Sequence, residues 1–206
     1  MTGKSPIHPG QMFWTGDNPG IYLKATAEGP YTSLMLYFRI SVSAHGPGHL
    51  LLLLEEPNHA MSLPDIHNVS VTDNEPLGRQ LVENFCKHVG PFRNCRAFDA
   101  LIWSHLDSVE EKGGENEFRV DIRSGSNKYV LNWAELGAPF AVNVSPDISP
   151  TGRHEMFGCF VESKDSWIAI NNRRLNGRPF PRESMGRKIS SAFLAYSEIW
   201  VEADPT

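Results

Sequence analysis

The chain has 206 residues, 40% of them hydrophobic and 21% charged, with a formal net charge of −5 at neutral pH. That balance describes a folded globular protein and excludes a disordered or fibrous one. No apolar run nears the roughly 20 residues of a membrane helix, and residues 50–54, the longest such run, are too few for a signal-peptide core. Three cysteines without a C-x-x-C motif suggest neither a disulfide framework nor a zinc ribbon. A cytoplasmic location with no membrane partner is therefore expected.

Residues 1–20, rich in Pro and Gly, read as an irregular arm packed by Phe13 and Trp14. A first strand covers 21–27. Over 33–43, Leu34, Leu36, Phe38, Ile40 and Val42 alternate with mostly polar residues, which is the period of a half-buried strand. After a His45-Gly-Pro-Gly turn, five consecutive leucines over 50–54 suggest a strand covered on both faces. A shorter strand spans 67–72.

The stretch 74–92 is the one segment with clear helical periodicity. Leu77, Leu81, Val82, Phe85, Cys86, Val89 and Phe92 fall on one half of the wheel, and Arg79, Gln80, Glu83, Asn84 and Lys87 on the other. Asp73 or Asn74 caps its start, Pro76 fits the first turn, and Gly90-Pro91 stops it, which predicts a helix over about 75–89.

Beyond it, 98–109 reads as one long strand with Leu101, Trp103, His105, Asp107 and Val109 on one side. Strands at 117–123 and 129–136 form a hairpin about the Ser-Gly-Ser-Asn turn at 124–127. Another strand covers 140–144, and a second hairpin joins 155–162 to 167–171. A Pro/Gly/Arg-rich loop over 172–189 precedes a last strand at 191–202. Residues 171–190 hold six basic side chains and one acid, a formal +5, so the rest of the chain carries −10.

About ten strands and one amphipathic helix predict a mainly β, single-domain antiparallel barrel over residues 1–206, since closure removes the edges of so long a sheet. The helix would plug one mouth or cross one side. In outline this resembles lipocalin-like ligand-binding barrels, although no lipocalin motif is present, and a fold does not fix a function.

Phosphate-binding, dinucleotide-binding, nucleophile-elbow and zinc-protease signatures are all missing. What stands out is polar residues in apolar patterns. His105 and Asp107 are two apart on a predicted strand, so an imidazole and a carboxylate share an apolar wall, as a general base and its orienting partner would. The competing reading is that both lie in solvent. Tyr196 and Glu198, with Leu194 and Trp200, form a second set, with Tyr196 or Glu198 as proton donor. His88 falls in the helix's apolar half. Tyr37 with Arg39, and Trp103 with Trp200, are candidates for a pocket wall carrying a few directed polar groups.

His45, His49, His59 and His67 lack any spacing that would make three or four ligands converge, so no metal and no cofactor is expected. In the basic loop, Arg178 and Arg182 suit an anionic ligand closing a barrel mouth. Nucleic acid is not expected, because the net charge is negative and Phe180 is the sole aromatic among those arginines.

Together these residues predict a barrel that binds a small apolar or carboxylated molecule. If it is an enzyme, its chemistry would be cofactor-independent acid–base work of the isomerase, cyclase, hydratase or decarboxylase type. The alternative is a non-catalytic binding or assembly module that engages an acidic partner through residues 173–188; homo-oligomerisation is left open.

Overall fold

Alternating β-branched and aromatic residues between Gly, Pro and Asn turns favour strands, and strands dominate the computed structural model, which describes residues 10–59 and 65–203. Among these residues they are β1 (Gly10–Asp17), β2 (Gly20–Lys24), β3 (Tyr31–Ser43), β4 (Gly48–Glu55), β5 (Asn68–Thr72), β6 (Ile102–His105), β7 (Ser108–Gly113) and β8 (Glu117–Ser124). They continue with β9 (Asn127–Leu136), β10 (Phe140–Val144), β11 (His154–Ile170), β12 (Arg173–Arg174), β13 (Pro181–Ser184), β14 (Arg187–Ser190) and β15 (Ala192–Ala203). One α-helix, α1 (Glu75–Asn84), and short 3-10 turns over Cys86–His88, Gly90–Phe92 and Arg96–Ala100 complete the list. The protein is mainly β, and no described helix is long and apolar enough to cross a membrane.

Thirteen strands join in one sheet, ordered β6-β5-β4-β3-β1-β15-β11-β9-β8-β7, with β2 between β15 and β3 and with β10 and β12 on β11. β13 and β14 form a separate hairpin. The sheet is mixed rather than wholly antiparallel, because β5 and β6 run parallel. The excursion through α1 and the 3-10 turns is the long crossover that a parallel pair requires. At the two ends of the order the chain is continuous. Leu106 N–H donates to Thr72 O (3.0 Å), extending β6 along β5, and Asp107 N–H donates to Arg123 O (2.9 Å), opening the pairing of β7 with β8.

Four local expectations are corrected, the first of them the hairpin between 155–162 and 167–171: these residues form the single strand β11, which runs unbroken from His154 to Ile170. The arm over 1–20 contains β1, inserted between β3 and β15, and the start of β2; residues 1–9 lie outside the described part. The single strand expected over 98–109 is a 3-10 turn followed by two strands that change partner at Leu106 and Asp107. The basic loop over 172–189 contains the β13–β14 hairpin, whose two-residue turn places Met185 (φ 52°) and Gly186 (φ 72°) in the left-handed region, as tight hairpins demand.

Two apolar clusters lie on opposite faces of this sheet. An inner cluster joins Met35, Leu51, Val71, Val120, Leu131, Trp133 and Ile168, drawn from strands at both ends of the order. Within it Trp133 Nε1 donates to Gly20 O (3.1 Å). An outer cluster joins Leu34, Leu36, Phe38, Leu50 and Leu52 to Leu77, Leu81 and Phe85 of the helical segment and to Trp14 and Trp200. Alternate leucines of β4 thus serve different clusters, which is why the run is continuous rather than alternating.

Helix α1 begins where the sequence predicts. The Asn74 side chain accepts from Leu77 N–H (3.2 Å) and donates to the carbonyls of His45 and Pro47 (2.9 Å each), tying the helix start to the β3–β4 turn. Glu75–Arg79 and Glu83–Lys87 form the exposed i,i+4 pairs. The helix stops at Asn84, five residues short of the expected end, because Phe85 leaves helical geometry (φ −125°, ψ −66°). Its ring packs among Trp200, Trp14 and Phe38, at centroid distances of 4.6, 5.3 and 5.9 Å. Asn74→Ala removes the cap and both anchoring bonds, and is expected to lower stability by about 1–2 kcal/mol with an unchanged urea m-value. A midpoint within error of the wild type would show that the cap is idle.

Candidate functional site

Where β2, β11 and β15 meet the outer cluster, the sheet is not fully covered. A cleft of about 420 Å³ opens there, within the range of small-molecule sites. Its walls are aromatic and apolar: Tyr22, Tyr31, Phe85, Phe160, Phe193, Trp200 and Met156. The segments around Val89–Pro91 and Ser149–Pro150 and the turn of the β13–β14 hairpin form its rim. The cleft therefore lies on the sheet face opposite the second cluster.

Glu198 stands in this wall and is 1% exposed. It owes its position to a bulge: pairing of β11 with β15 shifts register between Phe157 and Cys159, and Ser197 takes φ 52°. The extra residue reverses the side-chain alternation. Tyr196, like Leu194, stays with the inner cluster, whereas Glu198 and Trp200 turn outward. The expectation that Tyr196 and Glu198 share a face is thus corrected. The glycine opposite is part of the same device, since a Cβ on Gly158 would sit 3.0 Å from Glu198 Cγ.

Burial pushes the Glu198 carboxyl up to about 8, with Asp17 adding to the rise; the Trp200 indole and the Asn18 amide lie beside it and favour the ionised form without offsetting the burial. Glu198 Oε2, Asn18 Oδ1 and Trp200 Nε1 are each buried without a hydrogen-bond partner. Three polar atoms of this kind in one wall are unusual, because each carries its desolvation penalty uncompensated.

Arg182 enters the cleft from β13. Its guanidinium lies over Tyr22 (5.1 Å) and Phe193 (5.8 Å). Among the described residues no carboxylate lies within ion-pair distance of it, and its Nε is buried without a partner. The hairpin carrying it is fixed at its base by Ser191, which donates from N–H to Phe180 O (3.0 Å) and from Oγ to Tyr22 O (2.7 Å), while Phe180 N–H donates back to Ser191 Oγ (3.0 Å).

Of the residues singled out from sequence, Glu198, Trp200 and Arg182 come together here; the others lie elsewhere. His105 and Asp107 are exposed on the rim of a separate open groove with His67 and Tyr129. The Asp107 carboxylate accepts Gly125 N–H (2.6 Å) at the β8–β9 turn, so it holds that turn rather than orienting His105. Trp103, half-buried, is covered by the Arg79 guanidinium (4.5 Å). His88 is half-buried in the turn after α1, and its carbonyl accepts from Arg93 Nε (2.7 Å).

Tyr37 is buried and donates to Glu111 (2.9 Å), while Arg39 bridges Glu111 (2.6 Å) and Asp17 in the same network. Arg178 is exposed and stacks on Phe180 (4.8 Å). The other arginines of the basic segment are also engaged: Arg173 with Glu55, Arg174 over Trp167 and Arg187 over Phe140.

Sequence reading passed over Asn18, Tyr22 and Phe193, which no local pattern distinguishes from core residues. It also passed over His154, which is fully buried, stacked on Phe13 (4.9 Å) behind Trp200, and pulled down to about 4 by burial, with Arg153 and His88 adding to the effect. Among the described residues no three His, Cys, Asp or Glu side chains are grouped to hold a metal ion. His49 pairs with Asp73 (2.7 Å), and His67 stands edge-on to Tyr129.

Neither a protein-family model nor a curated protein sequence matches the chain. A solved structure described as structural studies of acetoacetate decarboxylase is similar with a TM-score of 0.41 and 8% identity, covering 95% of this chain and 88% of that one. A likeness this distant assigns no activity.

Proposed function

We propose that the protein is a small-molecule-binding β-barrel whose outer-face cleft carries out cofactor-independent proton transfer through Glu198. Closure into a barrel is supported by the unbroken run from β6 into β7, which links the two ends of the strand order, and by an inner cluster that gathers side chains from both ends. The observation that carries the functional reading is the buried Glu198 carboxyl, without a hydrogen-bond partner at Oε2, in the wall of an aromatic cleft. A carboxyl held up at about 8 is protonated at neutral pH yet close to its midpoint. It can therefore give and retake a proton without a large energetic gap. The acid–base role goes to Glu198 rather than to His105 and Asp107, which are exposed, with the Asp107 carboxylate bonded to Gly125 N–H and not to His105.

The test is solvent exchange. A panel of enolisable aryl and alkyl ketones and acids is incubated in deuterated buffer, and loss of the α-proton signal is followed by NMR. The wild type is expected to accelerate exchange for compounds that occupy the cleft, and Glu198→Gln to lose about 100-fold or more of that acceleration. Equal rates for the two proteins would remove Glu198 from the chemistry.

A further inference from the structure

Resting on that cleft reading, we infer that its ligand is a flat organic monoacid, whose carboxylate pairs with Arg182 and whose opposite end carries a neutral hydroxyl that meets Asn18, Glu198 and Trp200. Two polar stations with different demands lie in one aromatic cleft. At the hairpin station the Arg182 guanidinium is held flat over Tyr22 and Phe193. That stacking fixes the plane of the fork and leaves its N–H groups for an acceptor in the same plane, the geometry a carboxylate matches.

Glu183 of the same hairpin lines the cleft, but no described carboxylate lies within ion-pair distance of Arg182, whereas Arg39, Arg79, Arg119 and Arg173 are each paired with one. The other arginine lining the cleft, Arg93, is committed: its Nε donates to His88 O (2.7 Å) and its Nη2 to Pro150 O (2.9 Å). Arg182, whose fork is fixed by stacking and not tied to backbone carbonyls, is thus the guanidinium placed to take a ligand carboxylate.

At the wall station the demand is for a neutral group. Asn18 Oδ1 is an acceptor, Trp200 Nε1 can only donate, and Glu198 Oε2 can do either according to its protonation; all three are buried and lack partners. A ligand hydroxyl satisfies this set, since it donates to Asn18 Oδ1 and accepts from Trp200 Nε1 and from the protonated Glu198 carboxyl; a carbonyl, which only accepts, would leave Asn18 Oδ1 unmet. A second carboxylate would bury a further charge in this wall, where no described cation faces it to offset the loss of water. Tyr22 is near both stations, since Arg182 draws its proton affinity down and Glu198 raises it, while burial dominates and pushes it well up. Between the stations the walls are the rings of Tyr22, Phe193 and Phe85, which favour a flat body.

Calorimetric titration of the full chain tests this with three probes: a hydroxynaphthoic acid bearing its two groups at opposite ends of the ring system, the naphthoic acid without the hydroxyl, and the naphthol without the carboxylate. The hydroxy acid is expected to bind most tightly, with each truncation costing about tenfold or more. In Arg182→Gln the advantage of the acids over the naphthol should vanish while naphthol affinity holds. Arg182→Lys, which keeps the charge but not the fork, should lie between the two; circular dichroism verifies the fold of each variant. If the naphthol binds the wild type as well as the hydroxy acid does, or if Arg182→Gln weakens all three probes equally, the monoacid assignment falls and the cleft reading stands. If none of the three binds the wild type, both fall.

Discussion

Replacing Glu198 by glutamine is expected to stabilise the protein at about pH 9 and to change it little at about pH 5. In the folded state the carboxyl holds its proton up to about 8, against 4.5 for an ordinary glutamate. Between those values the native protein binds more protons than the unfolded chain, so stability must fall as pH rises through the window. The contribution of the neutral carboxyl is fully present below 4.5 and gone above about 8.

At ~1.4 kcal/mol per pH unit the ceiling of this effect is about 5 kcal/mol, and local relaxation around the charged group would bring the measured figure to about 2–4 kcal/mol. Glutamine has nearly the same shape and cannot ionise, so it escapes the alkaline loss. Urea denaturation of both proteins at about pH 5, 7 and 9 measures the difference directly. His154 slopes the other way: its neutral ring contributes fully above 6.5, and that contribution is lost as pH falls toward about 4. Because His154 is common to both proteins, it cancels from the comparison. Parallel pH profiles for wild type and Glu198→Gln would mean that the carboxyl is not held neutral, and the proposed acid–base group would lose its basis.

What could be read in the sequence was whatever is decided within a few residues. Asn74, Pro76 and the apolar stripe of α1 announced the helix, and the leucine run of β4 announced burial on both faces; both are as expected. The misses arise where tertiary contacts override a local period. The helical stripe continues through Cys86 and Val89, yet the backbone breaks at Phe85, whose ring is taken up by Trp14 and Trp200 from distant strands. Glu198 and Trp200 were legible as polar and aromatic residues in an apolar strand, but their face was not, because one residue at Ser197 in a left-handed conformation reverses the parity.

A signal for that bulge did exist in Gly158, a glycine in mid-strand whose missing side chain makes room for Glu198. No comparable signal places Arg182 over Tyr22. That contact depends on Ser191 fastening the hairpin to β2, a pairing separated by 169 positions. His105 and Asp107 satisfied a spacing rule and nothing more, since spacing alone cannot tell a wall that faces a pocket from one that faces water.

If the cleft belongs to the outer cluster alone, Phe85→Ala and Trp133→Ala should both damage stability severely and be unequal in binding. Phe85 packs edge-on to Trp200 and Trp14 and lines the cleft, whereas Trp133 sits on the opposite face of the sheet, beside Phe118 in the inner cluster. Truncating either buried ring removes apolar contacts and leaves a void, at a cost of about 3–5 kcal/mol. Trp133→Ala also strips Gly20 O of its indole donor, which adds about 1 kcal/mol or more.

Affinity for the hydroxynaphthoic acid, measured on the folded fraction, should fall in Phe85→Ala by about tenfold through the lost wall. In Trp133→Ala it should stay at the wild-type value, because the intervening sheet separates the two clusters. Should either alanine variant prove too unstable to purify, Phe85→Leu and Trp133→Phe keep the contrast with smaller voids. A loss of affinity in the Trp133 variants matching that in the Phe85 variants would mean that the two faces behave as one deformable core, and the cleft could no longer be treated as a preformed site.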